Sequence, residues 1–191
     1  MERILFEDQK FEKTDFSETG IKQGEYEYCK FVQCNFSNVD LSGIHFMECD
    51  FTECNLSMVR LEKTGLKTAK FTDCKLLGLH FEQCSEFLFA VEFENCTLSL
   101  CSFYKLKLKK THFKKSSLME VDFTEADLSG AIFDNCDLTR SIFENTILEK
   151  ADFRTSHNYS FDPDNNKIKK AKFSYPGILG LLSKYDIEIE P

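Results

Sequence analysis

Every fifth residue of this chain is large and apolar. From Phe6 the series runs Phe11, Phe16, Ile21, Tyr26, Phe31, Phe36, Leu41, Phe46, Phe51, Leu56, Leu61, Leu66, Phe71, Leu76 and Phe81. Glu86 interrupts it. Two residues later it resumes at Leu88 and continues through Phe93, Leu98, Phe103, Leu108, Phe113, Leu118, Phe123, Leu128, Phe133, Leu138, Phe143, Leu148 and Phe153. Ile168 and Phe173 fall in the same phase. A period of five fits neither the helix, at 3.6, nor the flat strand, at 2.0, so a different repeating backbone is required.

Two residues before each large centre stands a small or compact residue, as at Cys29, Cys34, Ile44, Cys49, Cys54, Ala69 and Cys74, then Cys96, Cys101, Ser116, Ala126, Ala131, Cys136 and Ala151. Each unit therefore turns one large and one small side chain inward and three outward. The residue just before the centre is mostly polar. Glu120-Val121-Asp122-Phe123-Thr124, Ala126-Asp127-Leu128-Ser129-Gly130 and Ala151-Asp152-Phe153-Arg154-Thr155 show the pattern whole. It resembles the pentapeptide-repeat family, written A-(D/N)-(L/F)-X-X, over residues 4–155 with an echo to 173. The resemblance implies an all-β fold: a right-handed quadrilateral parallel β-helix, four units to a coil.

The sequence tests four-sidedness by itself. Centres 20 residues apart should stack, and Phe11, Phe31, Phe51 and Phe71 are all Phe. Past the two-residue insertion the same side reads Phe93, Phe113, Phe133, Phe153 and Phe173. Other sides read Leu98, Leu118, Leu138 and Phe103, Phe123, Phe143. Coils about 4.8 Å apart make a rod roughly 36 Å long before its ends are covered.

Residues 1–81 and 88–175 are expected as two stacks joined by a jog at 82–87, where Phe87 and Phe89 either cover the gap or stand exposed. The turn-forming run 156–166 is expected to loop off the rod. In 176–191, Pro176 precedes apolar positions 178, 181, 182 and 185, a short amphipathic helix, and 186–190 alternates like a strand. An open solenoid end must be covered or paired. The tail resembles the module by which quinolone-resistance pentapeptide proteins dimerise, which implies a homodimer through Ile178, Leu181, Leu182, Tyr185, Ile187 and Ile189. A cap on a monomer is the other reading.

Catalysis finds little purchase. All nine cysteines, Cys84 included, share the inward register, so their five-residue spacings are those of the repeat rather than of metal ligands. His45, His80 and His112 precede centres on three different sides and cannot converge; His157 stands apart. There is no glycine-rich phosphate loop and no nucleophile elbow. The reading is a non-enzyme with no cofactor and no metal. The charged opening MERILFEDQKFEK lacks a signal-peptide pattern, no apolar run is long enough for a membrane span, and the odd cysteine count suits reduced thiols in a cytoplasm.

Function then falls to the surface. Net charge is −8, which disfavours direct nucleic-acid binding. The chain resembles the quinolone-resistance (Qnr-like) and microcin-immunity (McbG-like) group. That implies a rod that mimics DNA, binds DNA gyrase or topoisomerase IV, and confers resistance to quinolones or gyrase poisons. The densest acidic segment, 121–164, offers Asp122, Glu125, Asp127, Asp134, Asp137, Glu144, Glu149 and Asp152 as the partner-binding face. Lys105, Lys107, Lys109, Lys110, Lys114 and Lys115 form a basic band that a pure mimic would not need. The rival reading is a scaffold or adaptor with an unknown protein partner: one acidic stripe favours the mimic, a mixed surface the adaptor.

Overall fold

The computed structural model describes residues 4–87, 89–185, 187, 188 and 190. Eleven short strands wind in parallel: β1 (Leu5–Glu7), β2 (Lys10–Glu12), β3 (Glu25–Glu27), β4 (Lys30–Val32), β5 (His45–Met47), β6 (Asp50–Thr52), β7 (Gly65–Lys67), β8 (Ala69–Thr72), β9 (Val91–Glu94), β10 (His112–Lys114) and β11 (Ile132–Asp134). The first face of the rod is the sheet β1-β3-β5-β7; the second is β2-β4-β6-β8-β9-β10-β11. The third and fourth faces are held by isolated parallel bridges such as Asn35↔Asn55 and Ser102↔Asp122. The register is the predicted superperiod: Phe31 pairs with Phe51, and Phe51 with Phe71. Across the insertion Phe71 pairs with Phe93, so the second sheet passes the jog unbroken. The chain is thus a parallel β-solenoid.

Corners explain why five residues suffice. The residue two after a centre usually takes the left-handed conformation, as at Asp8 (φ 52°), Lys13 (φ 51°), Gln33 (φ 53°) and Glu125 (φ 57°), with glycine at 43, 78 and 130. Outside glycine that conformation costs about 1–2 kcal/mol. It persists because the surroundings fix it: the corner N–H of Asp8 donates to the Glu27 carbonyl at 3.0 Å, and that of Lys13 to Val32 at 2.9 Å, one coil on.

The axis is filled by stacked rings. From Phe11 to Phe173 each ring of the second face stacks on the next, with centroids 4.9 Å apart for Phe11–Phe31 and 5.1 Å for Phe113–Phe133. On the opposite, fourth face Phe81, Phe103, Phe123 and Phe143 stack likewise and meet the first column edge-on, as in Phe113–Phe123 at 5.9 Å. Both geometries suit the ring quadrupole.

All nine cysteines are buried and free. Eight of them, all but Cys84, do more than fill space, each placing its Sγ against a carbonyl of the neighbouring coil. Cys54 Sγ lies 3.3 Å from the Phe31 carbonyl and accepts from the Cys34 N–H at 3.4 Å. Hydroxyls at equivalent inward positions behave alike: Thr64 Oγ1 donates to Leu41 O at 2.8 Å, Thr146 Oγ1 to Phe123 O at 2.9 Å. Where the inward small position carries a donor it bonds a carbonyl of the neighbouring coil, so Cys, Ser and Thr interchange there with Ala and Val.

One sequence expectation is settled and two change. At the jog, Phe81–Gln83 forms a 3-10 turn; Phe89 covers the gap, packing on the core edge-on to Phe81, while Phe87 is 78% exposed. Leu88 lies outside the described residues. The run 156–166 does not swing off the rod. Tyr159 and Phe161 turn inward, buried, and tilt against Phe153, because the last coil otherwise ends in open apolar surface. The expected amphipathic α-helix is instead two 3-10 turns, Pro176–Leu181 and Ser183–Tyr185. A Cβ on Gly180 would run into the Tyr159 carbonyl, and Phe161 N–H bonds Gly180 O at 3.3 Å, so close docking shapes this segment. Ile187 and Glu188 are not strand, and Ile189 lies outside the described residues.

Candidate protein-binding surfaces

The repeat assigns every outward residue to a face, and the predicted acidic residues do not share one. Asp122 sits on the fourth face between Ser102 and Ile142. Glu144 projects from that face, and Glu125 turns its corner. Asp127 and Glu149 belong to the first face, Asp134 and Asp152 to the second, Asp137 to the third. Carboxylates therefore surround the rod in coils 121–152 rather than forming one stripe. The sequence-based list followed density along the chain; the 20-residue modulus, also in the sequence, sorts the faces.

Several of these carboxylates are engaged locally. Asp122, Asp127, Asp137 and Asp152 each accept the backbone N–H two residues on, at 2.8–3.2 Å, bracing their own turn. Burial opposes the charge on Asp127, but Ser129 and the Lys109 ammonium at 3.2 Å outweigh it and hold the carboxyl below its ordinary value. Asp152 is also held low, first by its hydrogen bond from Arg154, with Lys172 at 3.8 Å adding to it. Glu125 receives Tyr104 Oη at 3.2 Å and Lys105 at 3.5 Å. Asp122, Asp134, Glu144 and Glu149 take part in no ion pair among the described residues.

The basic band divides similarly. Lys105, Lys109 and Lys114 pair with acids of adjacent coils, Lys114 with Glu94 at 2.7 Å. Lys107, Lys110 and Lys115 make no ion pair among the described residues. The histidines fall where expected, His45 in β5, His112 in β10, and His80 bridged to Ser102 on the fourth face. At the C-terminal end the residues proposed for pairing separate: Leu181 packs on the core, Leu182 is half-buried, while Ile178, Tyr185 and Ile187 are exposed. Tyr175 and Leu179, which the sequence reading passed over, extend that exposed apolar end. No helix among the described residues is long and apolar enough to cross a membrane.

A solenoid of five-residue units with this register defines a class by itself, and the family comparison agrees. The model of the pentapeptide repeat region matches residues 25–85 and 87–158, so the chain belongs to the pentapeptide-repeat family. Among solved structures, a trypsin-treated variant of QnrB1, a plasmid-mediated fluoroquinolone resistance protein, aligns over 100% of both chains with TM-score 0.62 and 17% identity. At that identity the likeness carries the fold. HetL, a pentapeptide repeat protein involved in heterocyst differentiation regulation from the cyanobacterium Nostoc, aligns over 90% of this chain and 87% of its own at 14% identity and TM-score 0.41. No curated protein matches the sequence.

Proposed function

We propose that this protein is a non-enzymatic rod that acts by protein recognition, its acidic C-terminal coils taking the place of duplex DNA on a type II topoisomerase, DNA gyrase or topoisomerase IV. The observation that carries the reading is the gathering of carboxylates between Asp122 and Asp152, with Asp122 and Glu144 on the fourth face, Asp134 and Asp152 on the second and Asp137 on the third. A basic DNA saddle meets only part of a duplex's circumference, and it would be steered toward these acidic faces in the same way. The filled ring axis offers an enzyme no enclosed interior site. The full-length likeness to a fluoroquinolone resistance protein supports the same direction, and pairing of two chains through Ile178, Tyr185 and Ile187 would double the rod.

Gyrase supercoiling with the purified protein tests this, at two salt concentrations and with a fluoroquinolone. Salt-sensitive inhibition or relief of drug-induced cleavage is expected, and lost in the triple variant Asp122→Lys, Asp134→Lys, Glu144→Lys. No effect on either topoisomerase at tens of micromolar would refute the reading. The adaptor reading would then stand, favoured by cross-coil pairs such as Arg60–Asp40 at 2.7 Å and Lys114–Glu94, which give much of the surface mixed charge.

A further inference from the structure

Although net charge is −8, the four faces do not share it. Lys107, Asp127, Ile147 and Lys167 stack by parallel bridges on the first face. Lys109 and Lys169 project from that face too, since alternate residues of an extended segment point the same way. Lys110, Gly130, Lys150 and Lys170 turn the adjoining corner, all left-handed. All seven lysines are exposed. Against them stand two carboxylates, Asp127 and Glu149. Lys109 pairs with Asp127 at 3.2 Å; the other six make no ion pair among the described residues.

We propose that this lysine face binds the phosphate backbone of nucleic acid. From Lys107 to Lys167 is three coils, about 14 Å at 4.8 Å per coil. A duplex strand advances about 3.4 Å per phosphate, so that length meets about four phosphates of one strand. Flexible ammonium groups on a rigid straight lattice can each reach one. The same face lacks what a protein partner needs: Ile147, half-buried, is its one outward apolar side chain between Lys107 and Lys169, and protein interfaces are anchored by aromatic and apolar residues. The carboxylates of the other three faces repel phosphate and turn this side toward it. The inference needs only the first-face lysines, so it stands whether or not the protein engages a topoisomerase.

The test is fluorescence anisotropy of a labelled duplex of arbitrary sequence, titrated with the full chain from low to moderate salt. Binding in the non-specific range, a Kd of about 10⁻⁶–10⁻⁴ M, is expected, falling steeply with salt. The variant K107Q/K110Q/K150Q/K167Q should lose at least tenfold in affinity at low salt, and its log–log salt slope should shrink by about 3.6, at about 0.9 per phosphate contact. The control K13Q/K63Q/K70Q/K115Q removes the same charge from other faces and corners and should keep the wild-type slope. Three results would overturn the proposal: no binding at about 100 µM protein at the lowest salt, far weaker than non-specific contact requires; equal losses in both variants; or displacement of the duplex by polyglutamate as effectively as by unlabelled duplex, which would assign the face to an acidic protein.

Discussion

Replacing Phe113 by alanine opens the rod at its middle. The ring is fully buried, stacked on Phe93 at 5.6 Å and Phe133 at 5.1 Å, and edge-on to Phe103 at 6.0 Å and Phe123 at 5.9 Å. Closed by rings above, below and across, the void has no route to collapse. Phe→Ala in a core costs about 3–5 kcal/mol, and four ring pairs at about 0.5 kcal/mol each already account for about 2 kcal/mol of it. The upper end, about 5 kcal/mol, is expected. Phe11 supplies the contrast: it meets Phe16 and Tyr26 edge-on but stacks on Phe31 on one side only among the described residues, and it is only partly buried, so Phe11→Ala should cost about 2 kcal/mol. Urea unfolding followed by circular dichroism gives both values, with hydrogen exchange reporting whether coils on either side of residue 113 protect independently. Equal costs at the two positions would refute the idea that confinement between neighbouring rungs sets the energetics.

Other outcomes follow from the corners, thiols and cap. Thr68 is β-branched yet left-handed at φ 56°, so Thr68→Asn should raise stability by about 1 kcal/mol in the same urea assay. Burial pushes the thiols of Cys49 and Cys101 up to about 12 and that of Cys136 to about 11. The unfolded chain releases these protons near pH 8.5, so their contribution is complete below that value and is lost as pH climbs toward 11–12. The urea midpoint should therefore fall between pH 8 and pH 10.5, and a flat midpoint would contradict the burial argument. Gly180→Ala should lever the tail off Tyr159 while leaving the β-solenoid spectrum intact; limited proteolysis near residue 180 and size-exclusion chromatography would detect an undocked cap and any loss of pairing.

The solenoid was readable because its inward positions repeat without exception from Phe31 to Phe81 and again from Phe93 to Phe153, and nothing but a coil of 20 residues places nine phenylalanines in one file. Its ends were not readable in the same way. Tyr159 lies off the five-residue phase and Phe161 puts a ring at an inward position that the repeat keeps small, and their burial depends on where the last coil stops. The tail's apolar spacing suited an α-helix, but tight approach of Gly177 and Gly180 to Tyr159 decides its winding, and that is a tertiary effect. The surface lay between these cases. Acidic residues gathered by chain segment looked like one patch, whereas Asp127 and Asp137 face different sides and Lys107 and Lys167, sixty residues apart, share one.

The insertion between Phe71 and Phe93 behaves as a phase slip in a one-dimensional lattice. It is absorbed within a single coil: Phe71 still pairs with Phe93, and Phe93 with Phe113. A deletion of twenty residues on either side would shorten the rod by one rung and leave every remaining neighbour in step, whereas the same deletion drawn across the slip would bring the wrong side chains to the axis. Rod length is therefore adjustable in whole coils, and the slip marks the one stretch between Phe11 and Phe153 where the count has already been broken and repaired.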